Sequence, residues 1–271
     1  VITTIRPPKG WAPLDLREYV GAHELLYFLV LRNLKVRYKQ TVLGAAWALL
    51  QPLLTMVLFS LIFGRLARLG SDGLPYPVFA LAALVPWTYF ANALTQAGNS
   101  LVDQHQLLTK VYFPRLLLPL AAVIAGLVDL AIAFVLLLVV LAWYGITPSP
   151  RLLAVPAFAL LAATSALAPG IWLAALNVRY RDVRYVIPFL VQIWLFATPV
   201  AYSSGLVPAR WRVLYHLNPM AGVVEGFRWM VAPHALAQGD GLLVAVAVVT
   251  TWLTAGLYFF RRMEHSFADV V

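Results

Sequence analysis

The chain has 271 residues, of which 62% are hydrophobic and 11% charged, and its net charge is +9 at neutral pH. Globular domains carry about 25% charged residues, so a solvated surface is excluded. Apolar runs near the ~20 residues needed to cross a bilayer exclude a large buried α/β core as well. In a soluble protein the basic excess would point to nucleic acid; here the cations stand in short segments between apolar runs, where they set orientation and meet anionic headgroups.

The first nineteen residues, "VITTIRPPKGWAPLDLREY", lack the apolar core of a cleaved leader, so the first span is expected to act as its own insertion signal. There is no cysteine, which rules out disulfide and thiolate chemistry. Within residues 14–38, "LLYFLVL" at 25–31 is too short to span and is flanked by Glu24 and Arg32. It reads as a cytoplasmic interface helix along the membrane surface. Leu25, Phe28, Leu29 and Val36 share one face, Lys35 and Lys39 another, and Arg37 neither.

Lys35, Arg37 and Lys39 then crowd the mouth of an apolar run over 41–64, the first expected span. Further spans are expected over 76–97, 115–141, 152–176, 185–200 (interrupted at Pro199) and 241–260. Six spans place both termini on one side. Fourteen of the 20 lysines and arginines fall on that side, in the first forty residues, the 98–115 and 177–184 connections and the tail. Positive-inside bias makes it the cytoplasmic side.

The 98–115 connection, "GNSLVDQHQLLTKVYFPR", opens on Ser100 with Asp103 three residues later and closes on Pro114. A short cytoplasmic helix over 99–113 is expected, capped at Ser100, with Leu101, Val102, Leu107 and Leu108 free to dock. The 199–240 stretch is too long for a turn and too apolar for a solvated loop. Asn218 is placed as an N-cap, Pro219 at the first helical position and Pro233 as a terminator. The 201–233 segment reads as a re-entrant pair dipping into the outer leaflet. Irregular backbone at that depth is tolerated only against protein or a watery path.

Polar residues inside the spans carry the remaining information. In "VPWTYFANALTQAGN", Thr88, Asn92, Thr95 or Gln96, and Asn99 recur at helical spacing, with Trp87, Tyr89 and Phe90 at the upper end. They form either interhelical hydrogen bonds with an aromatic belt or the wall of a polar-aromatic channel. Aromatic faces suit the C–H faces of sugar rings, and amides suit their hydroxyls. Asp129, in the middle of the third span, reads as a buried group bonded to Ser165 or Thr164 rather than a proton site, because no second acid or base completes a relay. Glu225 and Arg228, three apart, are expected to pair. Arg179, Arg181 and Arg184 alternate with aromatics around Asp182, suited to lipid phosphate or a partner's carboxylates.

None of the four lysines stands in a Gly-Lys-Ser/Thr run, the histidines are isolated, and no two aspartates lie two apart. A phosphate-binding loop, a helical metal pair and a catalytic constellation are therefore missing. The chain is expected not to be an enzyme by itself, and to bind no cofactor and no nucleic acid.

"VRYKQTVLGAAWALLQPLLTMVLFSLIFG", "LLTKVYFPRLLLPL", "ALNVRYRDVRYVIPFLVQIWLFATPV" and "LNPMAGVVEGFRW" together resemble the membrane subunit of ABC-2-type exporters. The resemblance is to the branch exporting lipid-linked polysaccharides, the O-antigen, capsule and teichoic-acid permeases. It covers about residues 15–262 in order. It implies an all-α polytopic homodimer in the bacterial inner membrane, paired with two copies of a separate ATPase that holds ATP and magnesium. It implies an interface helix beside which the lipid-linked glycan enters; Arg37, Lys39 and Lys35, where that helix meets the first span, are expected at the carrier's phosphate because of that position. It implies a coupling helix with Asp103, Leu107, Leu108 and Lys110 toward the ATPase, and an outer gate with Asn218, Pro219, Glu225 and Arg228. The candidates for the channel wall are Trp47, Trp87, Thr88, Tyr89, Phe90, Asn92, Gln96, Trp194 and Tyr202. An ABC-2 exporter of drugs or small lipids is the alternative, with an ion-coupled carrier using Asp129 or a membrane enzyme on lipid-linked sugars behind it.

Overall fold

The computed structural model describes residues 21–39, 44–110, 113–232, 239–264 and 267. The described residues are helical with connecting turns and contain no strand. Helix α1 runs His23–Tyr38. Helix α2, Gly44–Phe59, passes into a wider π-helical stretch, Ser60–Leu66. Then follow α3 (Tyr76–Asp103), α4 (His105–Lys110), α5 (Leu117–Trp143), α6 (Val155–Arg179) after a 3₁₀ turn at Pro150–Ala154, and α7 (Val183–Ala197). Short turns lead through α8 (Arg212–His216) to α9 (Pro219–Val231) and α10 (Gly239–Glu264).

Five of these elements are long and apolar enough to cross a membrane: Ala46–Leu66, α3, α5, Pro150–Arg179 and Gly241–Glu264. In the expected fifth span, α7 holds 15 residues, about 22 Å at 1.5 Å per residue and short of the ~30 Å hydrocarbon layer. The reason is at its end, where Thr198 and Pro199 leave the helix and an irregular turn follows.

Helix α3 is the axis of the bundle, packed by α2, α5, α6, α7 and α9. Its contact with α6 is made by small side chains: a Cβ at Gly170 would lie 2.9 Å from Cβ of Ala97. Small residues let helices approach closely where lipid tails offer no hydrophobic drive toward association. A second apolar cluster gathers at the end holding the 98–115 and 177–184 connections. It joins Leu29 of α1, Leu101, Leu108, Phe113, Leu117, Ile171 and Phe260.

Three expectations fail here. Ser100 is buried inside α3 and donates to the carbonyl of Ala97, so it caps nothing. The 99–113 helix is two pieces, the end of α3 and the six-residue α4, broken at Gln104. Leu101 and Leu108 are core residues rather than docking ones, 0% and 6% exposed. A pattern of four leucines and valines does not say which face a neighbouring cluster takes, and Leu29 of α1 takes theirs.

Helix α1 also departs from a flat surface helix. Leu29 packs at the start of α5, with Leu117 and Leu118, while Tyr38 reaches Asp129 in the middle of α5. The helix therefore runs alongside the first half of α5 instead of lying across its end. Its inward face is Leu26, Leu29, Asn33 and Arg37, whereas Phe28 and Val36 are exposed.

Candidate functional site

Helices α1, α2, α3 and α5 line an open-sided cavity of about 670 Å³. One face of α3 supplies Thr88, Asn92 and Gln96, at the four-residue spacing that stacks side chains along a helix, with Tyr89 beside them. Helix α2 adds Trp47 and Gln51, α5 adds Asp129, and α1 adds Arg37 and Tyr38. The Tyr89 hydroxyl donates to the Val123 carbonyl at 3.1 Å. Glycine at 126 makes room for this ring, since a Cβ there would lie 3.0 Å from Tyr89 Cε2. The hydroxyl of Thr88 donates to the Leu84 carbonyl at 2.8 Å.

The charged centre of the cavity is an ion pair that the sequence reading did not foresee. Arg37 Nη1 meets Asp129 Oδ2, with the two side chains 24% and 17% exposed. Arg37 Nη2 donates to Gln96 Oε1, and the Tyr38 hydroxyl donates to Asp129 Oδ1. A charge so far withdrawn from water needs a partner, and α1 supplies it. The expected partners of Asp129 are engaged elsewhere: Ser165 donates to the Leu161 carbonyl at 2.6 Å and Thr164 to that of Leu160 at 2.9 Å. The signal was present in "KVRYK". Lys35 and Lys39, one turn apart, lie outward and exposed, whereas Arg37, half a turn away, comes inward.

Five of the nine channel-wall candidates, Trp47, Thr88, Tyr89, Asn92 and Gln96, line this cavity. The others do not. Phe90 lies between Trp87 at 5.3 Å and Trp194 at 5.0 Å, ring centre to ring centre, in an internal aromatic cluster. The Tyr202 hydroxyl donates to the Phe196 carbonyl at 3.2 Å. Asn99 accepts from Asn177 of α6 at 3.0 Å, so the polar stripe of α3 divides between the cavity and an interhelical contact.

At the other end, Asn218 joins three elements. Its Oδ1 caps α9 by accepting from the Met220 N–H at 3.1 Å and also accepts from the Trp194 indole at 2.9 Å. Its amide nitrogen donates to Thr198 Oγ1 at 2.9 Å, and Pro219 opens the helix. Arg228 is not paired with Glu225. Its guanidinium lies 3.4 Å from the centre of the Phe79 ring and donates to the carbonyls of Phe79, Tyr202 and Val200 at 3.4, 3.1 and 2.9 Å. The i, i+3 spacing brought the two near, but the unpaired carbonyls of the 200–202 turn compete better for a five-donor group. Burial draws Arg228 down to about 10, still cationic at neutral pH. Burial likewise raises the Glu225 carboxyl, against a weaker opposing hydrogen bond from Ser204. It raises the Tyr215 hydroxyl too, with the Glu225 charge acting in the same direction. Glu225 Oε1 and Tyr215 Oη are buried without a hydrogen-bond partner.

Of the residues read toward a partner, Asp103 pairs with Arg184 at 3.6 Å, both half exposed, and Leu107 is partly buried. The side chain of Lys110 lies outside the described residues, as does Pro233.

The profile of the ABC-2 type transporter family matches residues 24–231. The chain is 33% identical over 255 residues to the O-antigen export system permease protein RfbA of Myxococcus xanthus, covering 92% of this chain and 96% of that protein. It is 26% identical over 250 residues to the RfbA permease of Klebsiella pneumoniae, covering 92% and 95%. It is 24% identical over 246 residues to the polysialic acid transport protein KpsM of Escherichia coli, covering 88% and 93%. With several helices long enough to span and a match across most of its length, the chain is a multi-pass membrane protein of the ABC-2 type transporter family.

Proposed function

We propose that the chain is the permease of an ATP-driven exporter that carries lipid-linked polysaccharide from the cytoplasm to the outer face of the inner membrane. The observation that carries this reading is similarity, over 92% and 88% of the chain, to proteins named for O-antigen export and polysialic acid transport, two polysaccharides. The cavity supports it: Trp47 and Tyr89 offer ring faces to sugar C–H groups, and Asn92, Gln51 and Gln96 offer amides to hydroxyls. Arg37 in the cavity, with Lys39 exposed beside it, suits the phosphate of the lipid carrier. Separate ATPase subunits dock at α4 and the 180–184 turn, and two copies of the permease form the channel, with both termini cytoplasmic. The 201–233 segment, which follows α7, closes the outer side as a re-entrant gate.

An ion-coupled carrier is the weaker reading, because Asp129 already holds a cation from its own chain. The deciding experiment removes the protein from its native membrane. The purified complex is expected to contain an ATP-hydrolysing subunit and a polyisoprenyl-linked glycan by mass spectrometry. A gene deletion is expected to trap that glycan inside the cell. Undiminished surface polysaccharide in the deletion strain would overturn the proposal.

A further inference from the structure

The Arg37–Asp129 pair sits in the cavity where the proposed substrate passes, and its two halves are held unequally. Arg37 Nη1 is on the carboxylate, but Nη2 is on the neutral amide oxygen of Gln96. Asp129 Oδ2 is on the guanidinium, but Oδ1 accepts from the Tyr38 hydroxyl. Each charge therefore keeps one neutral hydrogen bond if the bond between them opens. A pair with no such second partners would strand two part-buried charges on opening, at a steep cost. Here Gln96 would keep the guanidinium in the cavity, and Tyr38 would keep the carboxylate bonded.

Among the described residues lining the cavity, Arg37 is the cation and Asp129 the anion, and their charges cancel. An incoming phosphate or diphosphate thus meets a site whose cation is already neutralised. It gains a two-pronged bond to the guanidinium only by displacing the carboxylate.

We infer that Asp129 is an internal substitute for the substrate's anionic headgroup: it occupies Arg37 in the empty permease, yields it to a phosphate-bearing lipid, and reclaims it to drive the headgroup off. The exchange rests on the reading of Arg37 as a headgroup ligand. It adds that Asp129 sets the strength and the reversibility of that contact. Apparent affinity falls by the fraction of the site that is free, so an occupied Arg37 makes a weak, releasable site. A transporter needs this, since a headgroup bound to an uncompensated arginine would stay. When the pair opens, the Tyr38 hydroxyl still ties the end of α1 to the middle of α5, so the exchange needs no separation of the two helices.

The test uses the purified permease–ATPase complex in nanodiscs of zwitterionic lipid, with farnesyl diphosphate as probe and farnesol as its uncharged control. Asp129→Asn keeps the Tyr38 contact and removes the competitor. It is expected to tighten diphosphate binding about tenfold or more, to leave farnesol binding unchanged, and to slow ATP-driven transport of the lipid-linked glycan. Arg37→Gln is expected to abolish the preference for diphosphate over farnesol. The double variant Arg37→Gln/Asp129→Asn, with no charge of the pair left unpartnered, reports whether the fold tolerates loss of the pair. If Arg37→Gln binds diphosphate as well as the parent protein, the headgroup reading itself is wrong. If Arg37→Gln loses the preference while Asp129→Asn binds diphosphate no tighter, or more weakly, the pair is a fixed tether. The exchange is then overturned and the headgroup reading stands.

Discussion

Arg228 illustrates how one buried cation can replace a regular hydrogen-bonding ladder. The 200–202 turn leaves carbonyls with no helical donor, and the guanidinium, flat on Phe79, collects two of them together with the Phe79 carbonyl. Arg228→Gln should therefore lower the melting temperature of the detergent-solubilised protein strongly, because each carbonyl left unpaired costs about 1–3 kcal/mol. Arg228→Lys should recover only part of the loss, since an ammonium cannot lie flat on the ring while spanning three acceptors. An unchanged melting temperature in Arg228→Gln would remove the role assigned to it. Glu225 beside it carries a pH signature. Burial raises its carboxyl above the usual value near 4.5, so the folded state holds that proton more tightly than the unfolded chain. The corresponding stability is fully present below about 4.5 and is lost as pH rises through the raised value. Glu225→Gln should flatten this part of a melting-temperature profile taken from acid to neutral pH; a profile unaltered by the substitution would assign the dependence elsewhere.

At the scale of elements, Leu107 and Leu108 separate two roles that their sequence positions leave merged. Leu108 lies in the cluster with Leu29 and Phe113, and Leu108→Ala should cost about 2–4 kcal/mol of stability as buried leucine truncations do. Leu107→Ala should leave the melting temperature within a degree or two, about what 0.5 kcal/mol moves a domain of this size, yet uncouple ATP hydrolysis from transport. Loss of coupling in neither variant would argue against docking of α4. The same region marks the limit of what patterning discloses. Helices α2, α3, α5, α6 and α10 were legible because an apolar run of span length has few other fates. Asn218 followed by Pro219 was legible because a cap and its first turn are local chemistry. Where α1 packs was not, since its inward residues Asn33 and Arg37 are polar and count against burial in any hydrophobic pattern. The lone acid on α5 and Gln96 on α3 take Arg37 inward, and neither partner is visible from α1 itself. The stripe Thr88, Asn92, Gln96 was readable as a polar wall, but that its charges come from α1 and α5 is a tertiary fact. So is the division of aromatics between the wall and the Phe90 cluster.

The whole molecule shows one span that its own chain scarcely covers. Of the apolar window in Ala46–Leu66, 6% is buried, against 78% for α3 and 33% for α5. Leu54, Leu58 and Leu61 of this element are 52%, 52% and 46% exposed, and Phe189 and Ile193 of α7 are 62% and 51% exposed. Both elements pack on α3, so their uncovered faces flank the helix that carries the polar wall. Lipid could cover these faces, but a helix resting on lipid alone would leave the cavity open to the bilayer along α2. Two-fold contact between copies, the commonest closed symmetry, would instead set a second wall opposite the first. The absence of native cysteine makes a clean test. Leu54→Cys and Leu58→Cys, expressed singly, should form covalent dimers on mild oxidation or with a short bifunctional maleimide. Val139→Cys, on the exposed side of α5, should not. Dimers at Val139 with none at 54 or 58 would move the contact to α5 and take the proposed channel away from the α3 wall.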